Sequence, residues 1–210
     1  MPFPIITARW NEVFGDSALA DELLEVLLLA YREKQRHYHT AAHIGALLEL
    51  SEKFREHLKN KTLVDIAILY HDYVYDPARK DNEEKSARKA EHDLEKLGQD
   101  AALIENVSRF IRATQKHEIF DGPDKNDLCF FLDFDLSVLA ADNAVYDQYT
   151  SAIRKEFSMY PDLLYNPGRK AVLRHFLDKP RIYQTGLLHE RWEESARKNL
   201  SRELKSIGYW

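Results

Sequence analysis

One cysteine, Cys129, stands in a chain of 210 residues, so no internal disulfide framework is possible; within the apolar run Leu128 to Leu132 it reads as a small buried hydrophobe. Glycine and proline are scarce, seven of each, which leaves few helix breakers. No stretch alternates apolar and polar residues as a half-buried strand does. Long hydrophobic runs are also missing: Val26 to Tyr31 is far short of the ~20 residues that span a bilayer. The opening stretch MPFPIITARWNEVF lacks a charged start followed by an apolar core, so neither export nor membrane insertion is expected, and the expected compartment is cytoplasmic. Positive charge is not in excess. A formal net charge of -5 with both signs interspersed excludes a basic field for nucleic acid and suits a small, locally bound substrate.

What is present is helical periodicity. Apolar residues recur at i, i+3, i+4 and i+7 through most of the chain, and the 44% hydrophobic content is enough for one good core. The expected class is all-α, over a single domain spanning 1–210 in which 141–210 forms a C-terminal helical extension. Ser17 reads as the N-cap of a helix over Ala18 to Glu33, and Thr40 as the N-cap of one over Ala41 to Leu58. Asp81 and Glu84 have the spacing of a capping box for Asn82 to Leu97, with Gly98 as the stop. Further helices are expected over Asp100 to Thr114, Asp127 to Leu139, Asn143 to Ser158, Gly168 to Leu177 and Leu187 to Ile207.

The chain's most informative stretch is Leu63 to Tyr75, LVDIAILYHDYVY, apolar all round as a helix and therefore buried. His71 and Asp72 interrupt it. Burying such groups without compensation costs several kcal/mol, roughly 2 to 7 for a polar group and more for a carboxylate, and a metal ion is one way to compensate them. The dipeptide alone carries little, because about one such pair arises by chance in a chain with nine histidines. A second pair, His92-Asp93, lies in the charged string EKSARKAEHDLEKL and reads as solvated surface.

Adjacent residues on a helix point about 100° apart, so further ligands must come from other segments. His43 lies at the edge of the apolar face of the preceding helix, where a structural, hydrogen-bonded histidine is the alternative. In CFFLDFDLSVL two aspartates compete. A face drawn through Leu128, Phe131, Leu132, Leu136 and Leu139 puts Asp135 near its centre and Asp133 well off it, which favours Asp135 as a ligand; a buried carboxylate paired with an arginine is the other reading. Glu83 lies one turn before Ala87 on the inward line of its helix, and is a candidate for proton transfer or a simple cap.

His43, then His71-Asp72, then Asp135, in that order, resembles the H…HD…D signature of the HD superfamily of metal-dependent phosphohydrolases. The strings RHYHTAAHI, YHDYVYDPARKDNEEKSA, LDFDLSVL, KPRIYQT and ESARKNLSREL, with the Thr114 and His117 region, resemble a subfamily of small bacterial predicted HD phosphohydrolases across nearly the whole chain. The resemblance implies an HD-domain helical bundle in which His43, His71, Asp72 and Asp135 hold one divalent metal ion. An N/O ligand set of this kind suits Mn, Fe, Co, Ni, Zn or Mg. The implied activity is hydrolysis of a phosphomonoester or nucleotide-like small molecule by metal-activated water, with Asp72 and Glu83 as catalytic residues and Arg36 and His117 as contacts to the phosphate. The rival expectation is a non-catalytic, metal-supported nucleotide-binding or regulatory module. Oligomeric state is not legible.

Overall fold

The computed structural model describes residues 4–207. Among them there is no strand, and the chain is all-α, as its periodicity predicts. Ten helices follow in order among the described residues: α1 (Pro4–Phe14), α2 (Ala18–Ala30), α3 (Ala41–Lys53), α4 (Lys61–Tyr70), α5 (Asn82–Lys96), α6 (Ala101–Ala113), α7 (Lys125–Asp135), α8 (Asn143–Glu156), α9 (Asp162–Asp178) and α10 (Gly186–Ser206). Short 3-10 turns follow α3 and α7. The chain divides into two compact units, one ending at Phe131 and the other starting at Leu132, so the division falls inside α7.

In the first unit α4 is the central element, packed against α1, α3, α5 and α6. Every residue from Leu63 to Tyr70 is buried, which accounts for a sequence that is apolar on all sides. Each large apolar side chain enclosed this way contributes about 1.5–3 kcal/mol. Its one buried charge, Asp65, accepts from Ser51 Oγ and from Lys61 Nζ at 2.6 Å, with Arg9 Nε 3.3 Å away. Asn60 caps the helix by accepting from Leu63 N, and buried Asp127 holds that entry by accepting from the amides of Lys59 and Asn60. α5 and α6 pack as neighbours across Gly98, whose φ of 67° is the left-handed conformation a helix C-terminus uses to turn away.

Ser17 and Thr40 cap α2 and α3 as expected. The capping box at α5 does not form: Asp81 makes no side-chain cap and pairs with Arg79 and Lys85, while Glu84 pairs with Arg88 and Arg112. Charge pairing with nearby cations outcompetes the amide there. The solvated reading of His92-Asp93 holds for His92 only. Asp93 is 2% exposed and is held by Tyr70 Oη at 3.1 Å and Lys89 Nζ at 2.7 Å.

The second unit packs the turn Leu136–Ala140 against α8 and α10, and α9 against α10. Its core joins Leu139, Tyr146, Ile153, Leu173, Leu188, Ala196 and Leu200. α9 begins at Asp162 and runs through Pro167, so most of the segment expected to separate two helices is itself helical. Glu203 accepts from Tyr146 Oη and from Arg169 Nε and Nη2, while Asn199 Nδ2 donates to the carbonyls of Leu139 and Ala141.

Candidate metal centre

Helix α4 stops at Tyr70, so His71 and Asp72 lie in the turn just beyond it rather than within a helix. The end is closed group by group. The carbonyl of Ala67 accepts from His71 N, that of Ile68 from His71 Nδ1 at 2.9 Å, that of Leu69 from Tyr31 Oη at 2.9 Å, and that of Tyr70 from Tyr73 N. All four final carbonyls of the helix are therefore satisfied, the accounting a buried helix end requires. With Nδ1 donating to Ile68, Nε2 is the ring nitrogen of His71 that faces the site: it offers a lone pair when the ring is neutral and a proton when it is charged.

Nε2 of His71 stands 3.0 Å from Oδ2 of Asp72, and Nε2 of His43, from α3, stands 3.7 Å from the same oxygen. The ligand atoms of these three residues lie within 4.8 Å of one another, and the cluster could hold a metal ion. His43 is 6% and His71 2% exposed, while the Asp72 side chain retains 20%, so the cluster is enclosed and Asp72 is the least covered of the three. The ring of Phe131 packs edge-on against His71, and Tyr38 lies against His43. Burial pushes the Asp72 carboxyl up, but the neighbouring charges of His71, His39 and His43 outweigh it and hold the group well below the usual carboxylate range.

Glu83, in the first turn of α5, is half-buried, and burial raises its carboxyl above the ordinary value. Its own backbone amide opposes the shift; the charge of Asp72 adds to it, and His117 and His71 reduce it. Glu83, Asp72, His71 and His117 therefore share one electrostatic neighbourhood. His117 follows α6 with φ of 50°, the only positive φ at a non-glycine among the described residues. His39 stacks on Tyr75 with centroids 4.2 Å apart.

Arg36 departs from expectation. Its side chain is fully enclosed, and its donors go to Glu33 Oε2 at 2.9 Å and to the carbonyls of His39, Asp72 and Tyr73 at 3.2, 2.7 and 2.8 Å. The guanidinium is committed to the protein and does not present its fork to a phosphate. Asp133 also departs. It is wholly buried and accepts from Gln184 N, Thr185 N and Thr185 Oγ1 at 2.7, 2.9 and 2.8 Å, holding the start of α10. Asp135, the last residue of α7, is half-buried and belongs to the second unit, whereas the cluster belongs to the first.

A separate cavity of about 780 Å³ lies between the end of α2 and the segment after the histidine-aspartate pair, bounded by Leu29, Glu33, Tyr73 and Tyr75 among others. None of His43, His71 and Asp72 lines it. Comparison with protein-family models, curated proteins and solved structures gives no match for the chain.

Proposed function

We propose that this chain is a metal-dependent phosphohydrolase of the HD type, acting on a phosphomonoester or a nucleotide-like small molecule. The observation that carries the reading is the convergence of His43, His71 and Asp72, whose ligand atoms lie within 4.8 Å of one another, with both Nε2 atoms 3.0 and 3.7 Å from Asp72 Oδ2. His43 and His71 offer ring nitrogens and Asp72 a carboxylate oxygen, and an N/O set suits a divalent ion. The resemblance to HD phosphohydrolases supplies the reaction class, and substitution of Asp135 tests the last residue of that signature.

A divalent ion in such a site polarises a phosphoryl oxygen and acidifies a water molecule. The chain's own residues supply the rest. His43, His71 and Asp72 fix the position of the charge. Glu83, whose carboxyl burial raises above its ordinary value, would take and return a proton. His117, held in an uncommon backbone conformation close to Glu83, is the candidate contact for a phosphate oxygen.

The test is metal-loaded protein against a panel of phosphomonoesters and nucleotides, with Asp72→Ala and Asp135→Ala alongside. Turnover that disappears in Asp72→Ala supports the reading, and loss in Asp135→Ala extends it to the fourth ligand. Tight metal binding with no turnover on any substrate replaces it with the binding module, and absence of metal binding removes both.

A further inference from the structure

We propose that Arg36 is a positioning residue for the metal ligands: its guanidinium ties the turn before α3 to the His71-Asp72 turn and so sets where the Asp72 carboxylate stands. This rests on the metal-centre reading above. Beyond Tyr70 the helical ladder of α4 has ended, and nothing intrahelical holds the carbonyls of Asp72 and Tyr73. Arg36 takes them. Nη1 donates to Asp72 O at 2.7 Å and Nη2 to Tyr73 O at 2.8 Å, so the ligand's own peptide and the next are gripped by one rigid plane.

The same Nη1 donates to His39 O at 3.2 Å. His39 immediately precedes Thr40, the N-cap of α3, and α3 carries His43 three residues further on. One guanidinium therefore fixes the relative placement of two ligand-bearing segments that are far apart in sequence. A planar fork can bridge three carbonyls at once, whereas a lysine ammonium is a single point. Glu33 Oε2 neutralises the buried charge at 2.9 Å, and the Tyr31 and Tyr75 rings pack against the guanidinium with centroids 5.1 and 5.5 Å from its carbon. Tyr31 also donates to Leu69 O, so both anchoring side chains come from the segment after α2 and close the same helix end.

Supporting groups around a metal site typically change its affinity 10–100-fold when removed. The experiment titrates wild type, R36M, R36K and R9M with Co2+ and records the visible absorption of the bound ion, with circular dichroism checking the fold. Arg9 is a control arginine of the same unit, paired with Glu12 and Glu52 and touching no ligand. The expected result is Co2+ binding at least tenfold weaker in R36M with an altered spectrum, an intermediate R36K, and an R9M that loses thermal stability while keeping wild-type affinity and spectrum. Wild-type affinity and spectrum in folded R36M overturn the proposal, as does an equal weakening in R9M. Should R36M fail to fold, R36K decides: a weakened, spectrally altered site supports the role and an unchanged one overturns it. A wild type that takes up no Co2+ overturns the metal-centre reading and this role together, whereas binding indifferent to Arg36 overturns this role alone.

Discussion

Nδ1 of His71 donates to the carbonyl of Ile68, 2.9 Å away and three residues earlier, at the end of α4. That bond does two things at once: it closes an otherwise open helix carbonyl, and it turns Nε2 toward Oδ2 of Asp72 at 3.0 Å. The orientation of the proposed ligand is thus a by-product of ending the helix. Such partners of metal-bound imidazoles set both tautomer and basicity.

Metal should stabilise the folded chain. At a free Mn2+, Co2+ or Zn2+ concentration one hundred times the dissociation constant, linkage contributes about 2.7 kcal/mol, a rise of several degrees in Tm for a protein of this size. A thermal-shift titration checks it. The rise should vanish in Asp72→Ala and on adding excess chelator.

Glu83 should trade stability for activity. Its folded carboxyl lies above the unfolded value, so its stabilising contribution is fully present below the unfolded pKa and is lost as pH rises through the folded one. Glu83→Gln is therefore expected to melt no lower than wild type at pH 7.5, with the difference disappearing near pH 4. Hydrolysis should fall by about 10²–10⁴-fold, and the acid limb of the pH-rate profile should go with it.

Asp133 should make stability depend on pH in the same sense. Burial outweighs its three accepted bonds and pushes the carboxyl up to about 6. A folded pKa above the unfolded ~3.9 means that stability is greatest near pH 4 and declines through pH 6, by up to about 3 kcal/mol. Urea midpoints measured across that window should fall in wild type and stay flat in Asp133→Asn. Asp133→Ala strands the amides of Gln184 and Thr185 and should cost about 2–5 kcal/mol at every pH.

The two aspartates of LDFDLSVL show where periodicity stops being informative. A face drawn through Leu128, Phe131, Leu132, Leu136 and Leu139 assumes one α-helix, but α7 ends at Asp135 and Leu136–Ala140 winds as a 3-10 turn. The period changes partway along that face. Residues Asp127 to Phe134 are moreover buried without a gap, so no polar side existed to mark the inward one. The same limit applies at α4, where an apolar pattern continued to Tyr75 although the hydrogen-bonded helix stops at Tyr70. The apolar run outlasts both the helix and full burial there, since His71 is buried but Asp72 to Tyr75 are half-buried.

Composition and spacing determined by themselves that the chain is all-α, that the segment ending in Tyr70 is enclosed on every side, that Cys129 is buried, and that Ser17 and Thr40 begin helices. Those properties depend on the period of the apolar side chains and on groups within a few residues of one another. Tertiary structure alone decided that Arg36 spends its donors on Asp72 and Tyr73, that Asp133 holds the start of α10, and that His43 comes within 3.7 Å of the Asp72 carboxylate. Each joins segments dozens of residues apart. A donor's eventual acceptor is set by which carbonyls the packed helices leave open, and no local pattern records that.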